Sequence, residues 1–369
     1  MRINIKQMAF FVQVLSLLLI GYYLKTFGFD SLRENTLWIA YSVVLVLTLP
    51  SLIAKGFFGA PFVSFTSAMS YLYYPLSYIV LYGLSHLFGL SFATLSAIFG
   101  LFTIFYWNYL LMFLLFKLKK DYIGSLSRNG LFALIPIFIF LLFVGLLIRQ
   151  PGSVLATDYI QHQTVSNVIN EGEKFCIIPN DCSNLFLQVG YTTFYHFILG
   201  TIGIFNGNDL VKVLYILDFS WSVVIGIAIY KLAISRLNSR VYSSIAVLAS
   251  LLIFINGAYD TSFFLPQTLS LLLFLHIISS KKLNFIKTVL AAMLLIASHF
   301  VIGTYLSVIL FIYYVLIYLF LDSQKTLKMQ RLILLISLVI TIFFFLLHTL
   351  GFSFENNFQR ESLKVIGDY

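Results

Sequence analysis

Of 369 residues, 60% are hydrophobic and 10% charged, whereas a soluble globular domain carries roughly 25% charged residues. That deficit, a mean hydropathy of +0.96 and repeated apolar runs argue against a soluble fold and for an all-α, polytopic membrane protein. The net charge of +9 does not point to a nucleic-acid partner, because the basic residues sit in short loops between apolar runs, which is a signature of topology.

The runs are continuously apolar and do not alternate, so a transmembrane β-barrel is not expected. Met1–Gly28 has Arg2 and Lys6 ahead of an apolar stretch, but no small-residue cleavage pattern follows Leu19; it reads as an uncleaved first span. About eleven spans are expected: 8–25, 37–54, 69–88, 92–116, 131–148, 210–233, 241–258, 263–279, 286–301, 303–321 and 332–350. Residues 1–130 form an N-terminal set of membrane helices, 131–350 a module with a long external loop at 149–209, and 351–369 a short external tail.

Charge sets the orientation. Arg2 and Lys6, Lys55, the group Lys117, Lys119, Lys120 and Arg128, then Lys231, Arg236 and Arg240, then Lys281, Lys282 and Lys287, and finally Lys325, Lys328 and Arg331 fall on one side, 16 of the 23 basic residues. Positive residues are retained in the cytoplasm during insertion, so this side is inside. The assignment requires that Asn184–Phe205 does not cross the bilayer. Its cluster of Tyr191, Phe194, Tyr195 and His196 fits an amphipathic helix at the outer interface, the alternative being a twelfth span that inverts every later loop.

Residues 149–207 are the one long polar interruption. They hold both cysteines, two of the six histidines and four of the 14 acids. A long polar loop in a chain of apolar helices is the place to look for chemistry. Cys176 and Cys182 share it, and an oxidising exterior favours a disulfide between them. Two thiols without a Cys/His pair at zinc spacing argue against zinc there.

Within the loop, Asp158 begins Asp-Tyr-Ile-Gln-His. On a helix, Asp158 and His162 face the same way at i and i+4, and a carboxylate beside an imidazole can deprotonate a hydroxyl or grip a polar substrate. Solvated loop residues are the ordinary alternative. Further along, Asp218 lies about two turns inside a span, where a carboxylate faces the protein interior; Lys212, Tyr215 and Ser222 are its candidate partners. Asp260, Gln267 and His299 lie at the outer ends of spans and are candidates for the same cavity as Asp158, although a histidine at a helix end is commonly an interfacial residue. Five of the six histidines, His86, His162, His196, His299 and His348, fall on the outer half.

Three features occur in order: Asp158; then Gly190-Tyr191-Thr192-Thr193-Phe194-Tyr195-His196; then Phe205-Asn206-Gly207-Asn208-Asp209-Leu210-Val211-Lys212. Over about residues 131–300 this order resembles the GT-C superfamily, polytopic glycosyltransferases that use polyprenyl-phosphate-linked sugars. Thr192 and Thr193 replace the prolines usual in the middle block. The resemblance implies an inverting transfer to an acceptor hydroxyl on the extracytoplasmic side of the cell membrane, with Asp158 as general base and His162 beside it. Arg149, Tyr191, His196, Lys212, Asp260, Gln267 and His299 become candidate substrate contacts. The implied partners are a polyprenyl-phosphate sugar, a glycan, lipid or protein acceptor, and membrane lipids; no cofactor is certain, and a divalent metal is compatible. Lys212 and Arg149 are placed to neutralise the leaving phosphate, against a plain reading as interfacial snorkelling cations. A transporter or flippase of lipid-linked glycans is the alternative; it calls for inverted repeats and broken helices with midplane polar groups.

Overall fold

The computed structural model describes residues 35–60, 63–117, 132–142, 156–172, 193–207, 210–252, 264–280, 283–321 and scattered positions between 11 and 26. Some side chains inside these helices, those of Asp158 and Lys212 among them, fall outside the description. The described residues form helices and no strand: α1 Thr36–Phe58, α2 Phe65–Ser70, α3 Tyr73–Phe88, α4 Phe92–Lys117, α5 Phe132–Leu142, α6 Ala156–Asn170, α7 Thr193–Asn206, α8 Leu210–Leu237, α9 Arg240–Leu252, α10 Pro266–Ile278, α11 Phe285–Ser298 and α12 Phe300–Leu321. Among them, Thr36–Phe58, Phe92–Leu114 and Ile216–Leu237 are long and apolar enough to cross a membrane. The protein is therefore an all-helical membrane protein; the expected first span at 8–25 and last span at 332–350 lie largely or wholly outside the described residues.

Local signals account for the helix ends. Asn35 Oδ1 accepts from the Leu37 N–H (2.9 Å) to start α1, which stops at Gly59 in the left-handed region, φ 60°. Asn284 Oδ1 accepts from the Lys287 N–H (2.9 Å) and starts α11 in the same way. At α10, Pro266 occupies the first turn and Thr268 Oγ1 accepts from the Leu265 N–H at 3.0 Å.

Two elements differ from the sequence expectation. The run expected as one span at 69–88 is broken at Tyr71–Leu72, between α2 and α3. Pro75, in the first turn of α3, has no N–H to give the Tyr71 carbonyl, and its ring crowds that carbonyl, which loosens the helical ladder where the break falls. The second is α7, expected to lie at, or dip into, the outer interface, with no sign in the sequence that other helices enclose it. Its described side chains from Phe194 to Asn206 are buried, with Ile204 half-buried. The segment Phe-Tyr-His-Phe-Ile-Leu-Gly-Thr-Ile-Gly-Ile-Phe has no broad polar stripe, and a helix apolar on all sides goes inside. Its 14 residues span about 21 Å, less than the roughly 30 Å hydrocarbon core.

Contacts divide the chain into Met1–Leu310 and Phe311–Tyr369. In the first unit α7 is the hub, packing on α1, α3, α4, α6, α8 and α11. Polar ties fasten it: Asn206 Nδ2 donates to Ser42 Oγ on α1 at 2.9 Å, and Trp38 Nε1 donates to the Phe205 carbonyl at 2.9 Å. Gly207, φ 71°, ends α7 and turns the chain toward α8. α8 and α9 pack together, as do α10 and α11; the last two, 13 and 14 residues long, span only about 20 Å each. Of the second unit, the described residues Phe311–Leu321 are the apolar C-terminal part of α12.

Candidate functional site

The crossing of α6 and α7 is where the polar loop enters the packed interior. α6 is mostly polar in sequence, yet His162, Ser166 and Asn170 on one face are buried, at steps of four residues. The opposite wall is the hub helix. His162 is 4% exposed and His196 not at all, and His162 Nδ1 lies 2.9 Å from His196 Nε2. Two turns further along α6, Asn170 Nδ2 donates to the Gly200 carbonyl at 3.0 Å, while Asn170 Oδ1 accepts from the Tyr78 hydroxyl at 2.8 Å. Gly200 permits this approach, since a Cβ there would meet the Tyr78 oxygen at 2.8 Å and Asn170 Oδ1 at 3.2 Å.

Tyr195 extends the polar centre. Its ring stands edge-on to His162 at 5.1 Å and to its chain neighbour His196 at 5.3 Å. Its hydroxyl donates to the Phe264 carbonyl at 2.9 Å. The Phe264 N–H donates to Asp218 Oδ1 at 3.0 Å. Phe264 is thus held through both of its backbone groups just before α10, and its ring packs on Trp221 at 4.8 Å. Asp218, 1% exposed, therefore takes a backbone N–H as a partner, and Ser222 Oγ donates to the Asp218 main-chain carbonyl. The side chains of Lys212 and Tyr215 are not described.

Gln267, half-buried, is the second residue of α10, three positions after the clamped Phe264. His299 lies between α11 and α12, and its Nδ1 accepts from the Ile302 N–H at 3.1 Å, capping α12. The adjacent Ser298 Oγ lies 2.6 Å from Ser270 Oγ, which ties the C-terminal end of α11 to the second turn of α10. Gln267 and His299 consequently belong to the same end of the α10–α11 pair. Asp158 lies on α6 one turn before His162, and Lys212 in the first turn of α8. Arg149, Tyr191, Asp260, Cys176 and Cys182 lie outside the described residues. Among the described residues, no group of three or more His, Cys, Asp or Glu side chains is placed to hold a metal ion.

Sequence reasoning found His162 and His196 separately and missed their meeting. It placed Tyr195 in an aromatic cluster without a role of its own, and it missed Asn170 and Phe264. A weak signal existed: Asn170 continues the four-residue spacing from His162, and Gly200 follows His196 at the same interval on α7. The chain matches no protein-family profile, no curated protein and no solved structure. Fold and site together define an all-helical membrane protein with a buried, histidine-centred polar cluster.

Proposed function

We propose that the protein is a membrane glycosyltransferase that moves a sugar from a polyprenyl-phosphate donor to an acceptor hydroxyl on the extracytoplasmic side of the cell membrane. The observation that carries this reading is the contact of His162 with His196 at 2.9 Å, with Asp158 one helical turn before His162. A short polar helix pressed into a membrane bundle costs desolvation, and burying two imidazoles in mutual contact is economical where they act on a substrate.

In this mechanism Asp158 takes the proton of the acceptor hydroxyl as its oxygen bonds to the anomeric carbon. The bond from that carbon to the phosphate oxygen breaks, and the configuration inverts. The leaving group departs as a phosphate, which needs neutralising more than protonating; Lys212 and Arg149 supply the charge. Gln267, at the start of α10, contacts the sugar or its phosphate, with Tyr191 and Asp260 contributing further contacts. The GT-C resemblance supports the order of these elements along the chain.

The test is sugar transfer in membranes with a panel of polyprenyl-phosphate sugars. Asp158→Asn keeps shape but cannot accept the proton, and transfer should fall by about 10² to 10⁴ while the protein accumulates normally. His162→Ala should lower the rate less. Near-normal transfer by Asp158→Asn would remove Asp158 from the reaction. The short α10–α11 pair and the buried Asp218 favour a second reading, a transporter of lipid-linked glycans. Movement of glycan across the membrane by a protein that transfers none would establish it.

A further inference from the structure

The contact between the two histidines constrains protons as well as positions. Two ring nitrogens 2.9 Å apart make a hydrogen bond only if one hydrogen lies between them. With none, two lone pairs face each other; with two, the N–H groups collide. In the neutral pair, each ring carries one hydrogen. If His162 donates through Nδ1, its Nε2, the nitrogen turned away from His196, holds a lone pair and is a base. If His196 donates through Nε2, then His162 Nε2 carries the hydrogen and is an acid. The tautomer of His196 therefore decides which chemistry His162 presents.

We infer that His196 is a positioning residue that holds His162 in the basic tautomer and shares the proton that His162 receives. This rests on the proposed role of Asp158. The steps balance as follows. Asp158, protonated by the acceptor hydroxyl, gives its proton to His162 Nε2 and returns to carboxylate. His162 is then an imidazolium, and its Nδ1 hydrogen passes along the existing hydrogen bond to His196 Nε2. His162 is left neutral with hydrogen on Nε2, and His196 carries the positive charge. The reverse steps release the proton and restore the starting tautomers.

Several features suit the pair to this use. Both rings are buried, so water does not compete for the shared proton. The Tyr195 ring borders both imidazoles and is anchored by its hydroxyl to the Phe264 carbonyl. Asn170 ties α6 to α7 two turns away, which holds the two helices in register. Among the described residues Tyr195 on α7 borders the pair, and Asp218 on α8 is linked to it through Phe264; Asp158 sits one helical turn before His162 on α6. His276 bonds the Leu272 carbonyl of its own helix, whereas His162 and His196 turn their facing nitrogens to each other.

The experiment uses the full chain, labelled with ¹⁵N-histidine and reconstituted in lipid nanodiscs. The resonances are assigned by single histidine substitutions. A nitrogen–nitrogen coupling across the hydrogen bond should connect His162 and His196 in the wild type. His196→Phe keeps the ring volume and removes the acceptor. It should abolish the coupling and lower kcat for sugar transfer by about ten- to a hundredfold with KM little changed. His196→Gln places an amide near the same point and should recover part of that loss. Absence of the coupling in the wild type, wild-type kcat in His196→Phe, or a loss confined to KM would each overturn the inference. If the coupling is present and the wild type transfers no sugar, the glycosyltransferase reading fails, and with it the positioning role of His196.

Discussion

Two buried histidine environments in this molecule look alike by composition and differ in their bonds. His162 and His196 lie in the α6–α7 crossing with Tyr195 edge-on; His276 lies in α10, 2% exposed, with Tyr71 edge-on at 6.4 Å. His276 Nδ1 donates to the carbonyl of Leu272, one turn back on its own helix, at 2.8 Å. That bond is local and any α-helix offers it. The bond between His162 and His196 joins residues 34 apart in sequence, and it exists only because two helices were packed to make it. Burial therefore does not mark a site by itself; the partner a buried polar group has been given does.

Substitutions can break or sharpen this contrast. The largest expected effect comes from Gly200→Leu. The new side chain enters the space of Tyr78 and Asn170, and overpacking a close helix crossing costs about 1–3 kcal/mol. Thermal unfolding in detergent should drop by several degrees, and α6 should be displaced enough to remove the His162–His196 coupling while the His276 resonance stays in place. An unchanged coupling would mean that Asn170 and Gly200 do not hold the crossing.

Asp218→Leu comes next. It removes the acceptor for a buried backbone N–H, at a cost of about 1–3 kcal/mol. Asp218→Asn retains an oxygen for the Phe264 N–H and should be milder. Equal stability losses in the two variants, measured by the same unfolding assay, would show that the carboxylate charge and not its acceptor role matters. The smallest effect is expected of His276→Leu. The Leu272 carbonyl keeps its ordinary helical partner, so transfer should run at the wild-type rate and stability change by less than about 1.5 kcal/mol. A loss of transfer would erase the distinction between the two environments.

How far the sequence could be read follows from the range of each interaction. Most helices were legible, because a continuous apolar run has few alternatives in lipid. The break at Tyr71–Leu72 was present in the sequence as Pro75 but was overridden by the apolar pattern around it. The charge count and the aromatic cluster mark α7 as a segment that does not cross the bilayer, but its enclosure by other helices was not legible. Whether an apolar helix rests on an interface or sinks among other helices depends on what surrounds it, and its own pattern does not encode that. His299 illustrates the converse: the sequence grouped it with the site candidates, and the structure gives its Nδ1 a local capping bond.

By itself the sequence determined the membrane character, the helical class and the loop where polar chemistry concentrates. These follow from composition and from spacings within a single helix, such as Asp158 to His162. Only the tertiary structure decided that His162 meets His196, that Tyr195 and Asp218 hold the two backbone groups of Phe264, and that Gln267 and His299 share one end of a helix pair. Those contacts join helices separated by long stretches of chain. Their geometry depends on how whole helices pack, with α7 buried at the centre, and no local pattern of residues carries that information.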